Sequence, residues 1–156
     1  MTPKQLAALA RLQKLKAAQS SFEGFVRLIQ PEWHIPQFHL DLIDTLDKFG
    51  RDELDVRNLL ITMPPRHSKS TYCTQLFPAW YMLAKPERYV MSSSYNSELA
   101  KGFGRGVRDL FGHPQAGAAF PEAKISRHTR SASQWATTAG GEYYGVGLGS
   151  TTTGRP

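Results

Sequence analysis

A short apolar run followed at once by a proline-rich, basic segment constrains this chain more than any other feature. Residues 59–62 are long enough for a short buried strand, and residues 63–70 have the sequence MPPRHSKS. A strand, a tight loop and a Lys-Ser pair that opens a helix are the order of a phosphate-binding loop. The consensus has glycine where Met63 and Ser68 stand, so only Lys69 and Ser70 match it. The alternative is a Pro-Pro turn before a solvated, basic helix start.

The chemistry expected of this loop follows from its place at a helix N-terminus. The backbone N–H groups of residues 67–71 have no helical carbonyl to bond, and the helix dipole is positive there, so the loop attracts anions. Lys69 reaches phosphate oxygens and the Ser70 hydroxyl suits Mg²⁺. Serine is tolerable in place of glycine at position 68 if its φ is negative there. The predicted nucleotide-binding set in the loop is Pro65, Arg66, His67, Ser68, Lys69, Ser70 and Thr71.

Three stretches, in order, resemble the ATPase domain of bacteriophage terminase large subunits. They are MPPRHSKST, FPAWYMLAKPERYVMSSSYNSELAKGFGRGVRDLF and GGEYYGVGLGSTTTGRP. In that family a PPRH-x-KS loop leads into a helix, an S-Y-x-x-x-L-A segment and a basic helix. The last stretch is similar to the glycine-rich segment that precedes the family's acidic Walker B strand. The resemblance runs from about Trp33 to Pro156.

The resemblance implies a site and a reaction. It implies ATP and Mg²⁺ as cofactors, with Lys69 on the phosphates, Ser70 on the metal and Arg66 near the γ-phosphate. The segment ahead of the loop contributes to the adenine pocket in this family, so Gln37 is expected to contact the base; otherwise it is a polar helix start. Arg155 stands where family members place an arginine that acts on a neighbouring subunit, and its alternative is a frayed terminal residue.

The implied activity is ATP hydrolysis that drives double-stranded viral DNA into a capsid. The implied partners are DNA, a portal protein, a small terminase subunit and further copies of the chain in a ring, in the cytoplasm of a bacterial host. No acid after Lys69 ends a strongly apolar strand, so the chain is expected to be a fragment that stops before Walker B and to be inactive alone. The family's nuclease domain is expected to be missing as well. No apolar run suggests a membrane span.

Strands that alternate with helices around such a loop predict an α/β fold, a three-layer P-loop NTPase-type domain with a mainly parallel sheet that is incomplete at the C-terminus. We divide the chain into a basic helical arm (1–20), a helical lead-in that includes the adenine-pocket segment (21–58) and a partial ATPase core (59–156). Helices are expected over about 4–19, 37–49 and 98–111. Strands are expected over 59–63 and 89–94 and as a hairpin around residues 140–141, and Pro78 is expected to kink or break the helix that follows the loop.

Charge is uneven along this chain, whose formal net charge is +6. The arm carries four cations and no acid, residues 41–55 are acidic, and residues 99–130 are basic again. Lys101, Arg105 and Arg108 are spaced by four and three residues, so they share one helix face and are the predicted DNA-binding residues. The alternative for each charged stretch is a solvated face that binds nothing.

Two other classes of protein remain open. One is a different P-loop motor on nucleic acid, such as a helicase. The other is a catalytically inactive remnant that binds DNA or protein through its basic faces.

Overall fold

Six α-helices, one π-helical turn and four strands make up the part of the chain that the computed structural model describes, residues 1–148 without the side chains of 128–130. The helices are α1 (Pro3–Ser20), α2 (Phe22–Ile29), α3 (Gln37–Gly50), α4 (Phe77–Ala84), α5 (Ser97–Phe111) and α6 (Pro114–Ala119). The π-helical turn is Thr71–Leu76, and the strands are β1 (Val90–Ser94), β2 (Ile125–Arg130), β3 (Gln134–Thr137) and β4 (Glu142–Gly147). The fold is therefore mixed α/β. Within the described residues, no helix combines the length and apolar character that crossing a membrane requires.

Local sequence sets the helix starts. Thr2 and Gln5 form a reciprocal capping box at α1, with bonds of 3.3 Å and 2.8 Å to each other's backbone N–H. The side chain of Asn96 accepts a bond from the Leu99 N–H at 2.7 Å and caps the start of α5. These caps satisfy N–H groups that have no partner inside the helix.

Aromatic side chains connect the helices to each other and to the sheet. Phe22 of α2 lies 5.5 Å, centroid to centroid, from both Phe77 and Trp80. In the sheet, Trp135 stacks on Tyr143 with centroids 5.3 Å apart and ring planes 6° apart, and both are fully buried. The core therefore runs from the N-terminal helices through α4 and α5 to β3 and β4.

The sheet is mixed. Its order is β1-β4-β3-β2, with β1 parallel to β4 and the other two pairs antiparallel. The predicted hairpin is present as β3 and β4, with Gly140 at φ +93° in its turn. The expected mainly parallel, three-layer arrangement is not seen in residues 1–148. One pair of three is parallel. Helix α5 packs against β1 and β4, while Met91 of β1 stays 63% exposed.

The prediction of a strand over residues 59–63 is wrong for the described structure. The segment has the alternation of a strand, because Leu59, Ile61 and Met63 are half-buried while Leu60 and Thr62 are exposed. No ladder partner for it is found within residues 1–148. Alternation is a local property, but a strand also needs a neighbour for its N–H and C=O groups.

Pro78 alters the helix that follows the loop through the π-helical turn just before it. Proline has no N–H and its ring clashes with the carbonyl four residues back, here that of Thr74. The chain widens by one residue before the proline, and the Phe77 N–H bonds the Tyr72 carbonyl five residues back. The helix therefore continues into α4, and of the two expected alternatives the break is not seen.

Two glycines of α5 should respond oppositely to alanine. A Cβ at Gly104 would lie 2.3 Å from the Ala132 carbonyl oxygen, whereas a Cβ at Gly102 would meet nothing within 4 Å. Gly102→Ala should raise the free energy of unfolding by about 0.5–1 kcal/mol, and Gly104→Ala should lower it by about 1–3 kcal/mol. Urea denaturation measures both. Equal stability of the two variants would contradict the packing at Gly104.

Candidate anion-binding site

The loop expected to bind phosphate forms a concave surface. Residues 63–71, nine in succession, line a cavity of about 450 Å³, which we call the loop cavity. It contains every residue of the predicted loop set, Pro65 to Thr71. Its size falls within the range of small-molecule sites.

The backbone of the loop alternates in handedness. Arg66 has φ +65° and Ser68 has φ +55°, whereas neither His67 nor Lys69 has a positive φ. The condition under which serine replaces glycine without strain, a negative φ at Ser68, is therefore not met. Each such non-glycine residue costs about 1–2 kcal/mol. Alternating backbone handedness turns successive N–H groups toward one side, which is the geometry of an anion-binding nest.

The first helical turn after the loop leaves its N–H groups free for a ligand. The first backbone bond runs from the Tyr72 N–H to the Ser68 carbonyl, 3.1 Å. Among the described residues, no acceptor is found for the N–H groups of residues 68–71. Together with the helix dipole, these groups favour an anion in the loop cavity.

Lys69 adds a positive charge that is half-buried at the cavity. Its ammonium also affects Cys73, one turn further along the helix. Burial raises the pKa of the Cys73 thiol, and the charge of Lys69 opposes that rise. Ser70 lines the same cavity in a right-handed helical conformation, and its carbonyl accepts a bond from the Thr74 hydroxyl at 2.5 Å. In residues 1–148, no group of three or more His, Cys, Asp or Glu side chains is placed to hold a metal ion.

A second, more apolar cavity adjoins the loop cavity. It measures about 620 Å³, and we call it the side cavity. Its lining comes from α3 (Phe38, Asp41, Leu42, Thr45), from residues 59–62 and from Met63, Pro64 and His67, which it shares with the loop cavity. A mainly apolar surface with a few polar side chains, here Asp41, Thr45, Thr62 and His67, is typical of a pocket for a small organic molecule.

Gln37 lies beside the side cavity without lining it. It is exposed at the first position of α3, and its amide donates a 2.9 Å bond to the Asp41 carboxylate. Sequence reasoning missed Phe38, Asp41 and Thr45 as lining residues. The one signal for them in the sequence was their spacing of three and four along α3, which places them on one helix face.

One histidine bond joins the loop to α3, and a second lies within the loop. The His39 Nε2 lies 3.0 Å from the His67 carbonyl oxygen, and the His67 Nδ1 lies 2.9 Å from the Pro65 carbonyl oxygen. The His39 ring also lies 4.8 Å from that of Tyr72 and 4.3 Å from that of Phe38, centroid to centroid. Local sequence gives no signal for the bond between His39 and His67, because the two residues are 28 apart in the chain.

The predicted DNA-binding residues lie together on α5. Arg105 is exposed, while Lys101 pairs with Glu98 at 2.8 Å and Arg108 Nη1 donates to the Ser131 carbonyl at 3.4 Å. The bond from Lys101, and then its charge, lower the pKa of Glu98. Arg155, the remaining predicted residue, lies outside the described residues. In comparisons with protein-family models, with curated proteins and with solved structures, no match to this chain was found.

Proposed function

We propose that this chain is the nucleotide-binding part of a DNA-packaging motor of the large-terminase type, in which ATP hydrolysis moves double-stranded DNA into a capsid. The observation that carries the proposal is the loop cavity. It combines an alternating backbone, N–H groups without acceptors in the described structure and the Lys69 charge at one helix N-terminus. This combination suits the oxygens of a di- or triphosphate.

The side cavity supports a nucleotide over a simple phosphate. It shares Met63, Pro64 and His67 with the loop cavity, so a base in one and phosphates in the other can belong to one ligand. Phe38 offers an exposed ring face, and Asp41 and Thr45 offer polar atoms for the base or the ribose.

Magnesium fits the site as a companion of the phosphates. Mg²⁺ takes few protein oxygens and fills its octahedron with phosphate oxygens and water. Ser70 would supply one hydroxyl oxygen from the edge of the loop cavity. The bound ion would offset phosphate charge, while Lys69 and the loop N–H groups orient the phosphates.

The proposal predicts that the chain binds Mg·ATP. At a concentration of 100 times its Kd, Mg·ATP should stabilise the fold by about 2.7 kcal/mol, which raises Tm by roughly 5–10 °C. Adenosine with the same MgCl₂ is the matched control and should shift Tm much less, because it lacks the phosphates. An unchanged Tm with Mg·ATP would instead favour the inactive remnant.

Turnover should be slow even when Mg·ATP is bound. No carboxylate is among the described residues that line the loop cavity, so nothing there orients the attacking water. A positioned acid or base of this kind typically contributes about 10²–10⁴-fold to the rate, so we expect phosphate release well below about 1 s⁻¹. Release at the rate of a complete motor would contradict this and would direct attention to Asp41 in the side cavity.

A further inference from the structure

His67 lies between the two loop residues with left-handed backbone, Arg66 and Ser68. Its own ring reaches back to the Pro65 carbonyl, and its carbonyl oxygen is bonded by His39 from α3. The strained part of the loop is therefore held at His67 by two bonds, one through its side chain and one through its carbonyl oxygen. Strained backbone persists when the surrounding structure over-determines it.

His39 is itself held firmly. Its ring contacts that of Phe38 and that of Tyr72, which is 1% exposed and lies 6.0 Å from the Trp33 ring. His39 lines neither the loop cavity nor the side cavity. Its contacts are therefore with the protein and not with the proposed ligand.

Fixing a carbonyl also fixes the next N–H group. The peptide unit is planar and trans, so the His67 C=O and the Ser68 N–H point in opposite directions. A bond from His39 that holds the carbonyl toward α3 therefore turns the Ser68 N–H away from α3. Ser68 lines the loop cavity, where an anion would accept from that N–H.

We propose that His39 is a positioning residue of the anion site: through its bond to the His67 carbonyl it holds the loop in the conformation that binds phosphate. The inference rests on the proposed function for its ligand, but its structural half stands on the loop geometry alone. It assigns opposite tautomers to the two histidines. His39 carries its proton on Nε2 and His67 carries its proton on Nδ1, because each nitrogen faces a carbonyl oxygen.

The first test is made without ligand. Imidazole ¹⁵N spectra at a pH of about 8.5, where ordinary histidines are neutral, report the tautomer of each ring. The expected result is Nε2–H for His39 and Nδ1–H for His67. His39 protonated on Nδ1 would overturn the proposal whether or not the chain binds nucleotide.

The second test measures pyrophosphate binding by calorimetry. His39→Phe keeps an aromatic ring beside Phe38 and Tyr72 but has no donor, and should raise the Kd about tenfold. His39→Gln places an amide donor near the Nε2 position and should recover most of the affinity. His34→Gln, at an exposed histidine, is the matched control and should not change it.

Equal affinity of His39→Phe and wild type would overturn the proposal. If wild type binds no pyrophosphate, the proposed function fails, and the tautomers alone decide the role of His39. If His39→Phe does not fold, His39→Met takes its place as the variant without a donor.

Discussion

Replacing Lys69 by alanine should weaken Mg·ATP binding by about 100-fold or more and leave the fold intact. A charge-assisted contact is worth about 1.5–3 kcal/mol, and lysine makes more than one with a polyphosphate. Because Lys69 is only half-buried and has no described ion-pair partner, its loss should change Tm of the ligand-free protein little. Calorimetric titration with Mg·ATP measures the effect.

The matched control is Lys14→Ala, which removes the same charge from an exposed position on α1. It should bind Mg·ATP as wild type does, apart from a small long-range effect that salt screens. Equal affinity of Lys69→Ala and wild type would show that the loop cavity is not the phosphate site.

Reversing Lys101, Arg105 and Arg108 to glutamate should almost abolish DNA binding at moderate salt. Each neutralised phosphate contributes about 0.9 to the slope of log K against log salt, so the triple variant should lose roughly three units of slope. The Lys101→Glu change also sets a second carboxylate beside Glu98, where wild type has an ion pair. Fluorescence anisotropy with duplex DNA across a salt series measures both affinity and slope.

The control reverses Lys14, Lys85 and Lys124, which are exposed on separate parts of the fold, and so makes the same change in net charge. It should weaken DNA binding much less than the α5 variant. An equal loss in both variants would mean that net charge alone drives association, and strong preference for one DNA sequence would contradict a backbone-only contact.

The helices and the hairpin were predictable because their signals are local. Asn96 caps α5, Gly140 lies in the turn of the hairpin, and apolar periodicity marks α3, and each of these signals lies within a few residues. Pairing in the sheet is not local. Residues 59–63 have the alternation of a strand, but the sequence does not contain the information on which neighbour, if any, lies beside them in residues 1–148.

The loop shows where sequence reasoning failed and why. The phosphate-loop consensus has glycine where Ser68 stands, and glycine in such a position commonly marks positive φ. Serine is free of strain there only at negative φ, yet Ser68 has the left-handed conformation at φ +55°. The nearby His39–His67 bond joins residues 28 apart, and no local pattern could identify it.

The nucleotide site is tested most directly by mapping Mg·ATPγS onto the backbone amides with ¹H–¹⁵N NMR. The largest shifts should fall on residues 66–71, with a second group on α3 around Phe38, Asp41 and Thr45. Pyrophosphate should reproduce the first group and not the second, because it has no base. Saturable binding that leaves the amides of residues 66–71 unmoved would contradict the central claim.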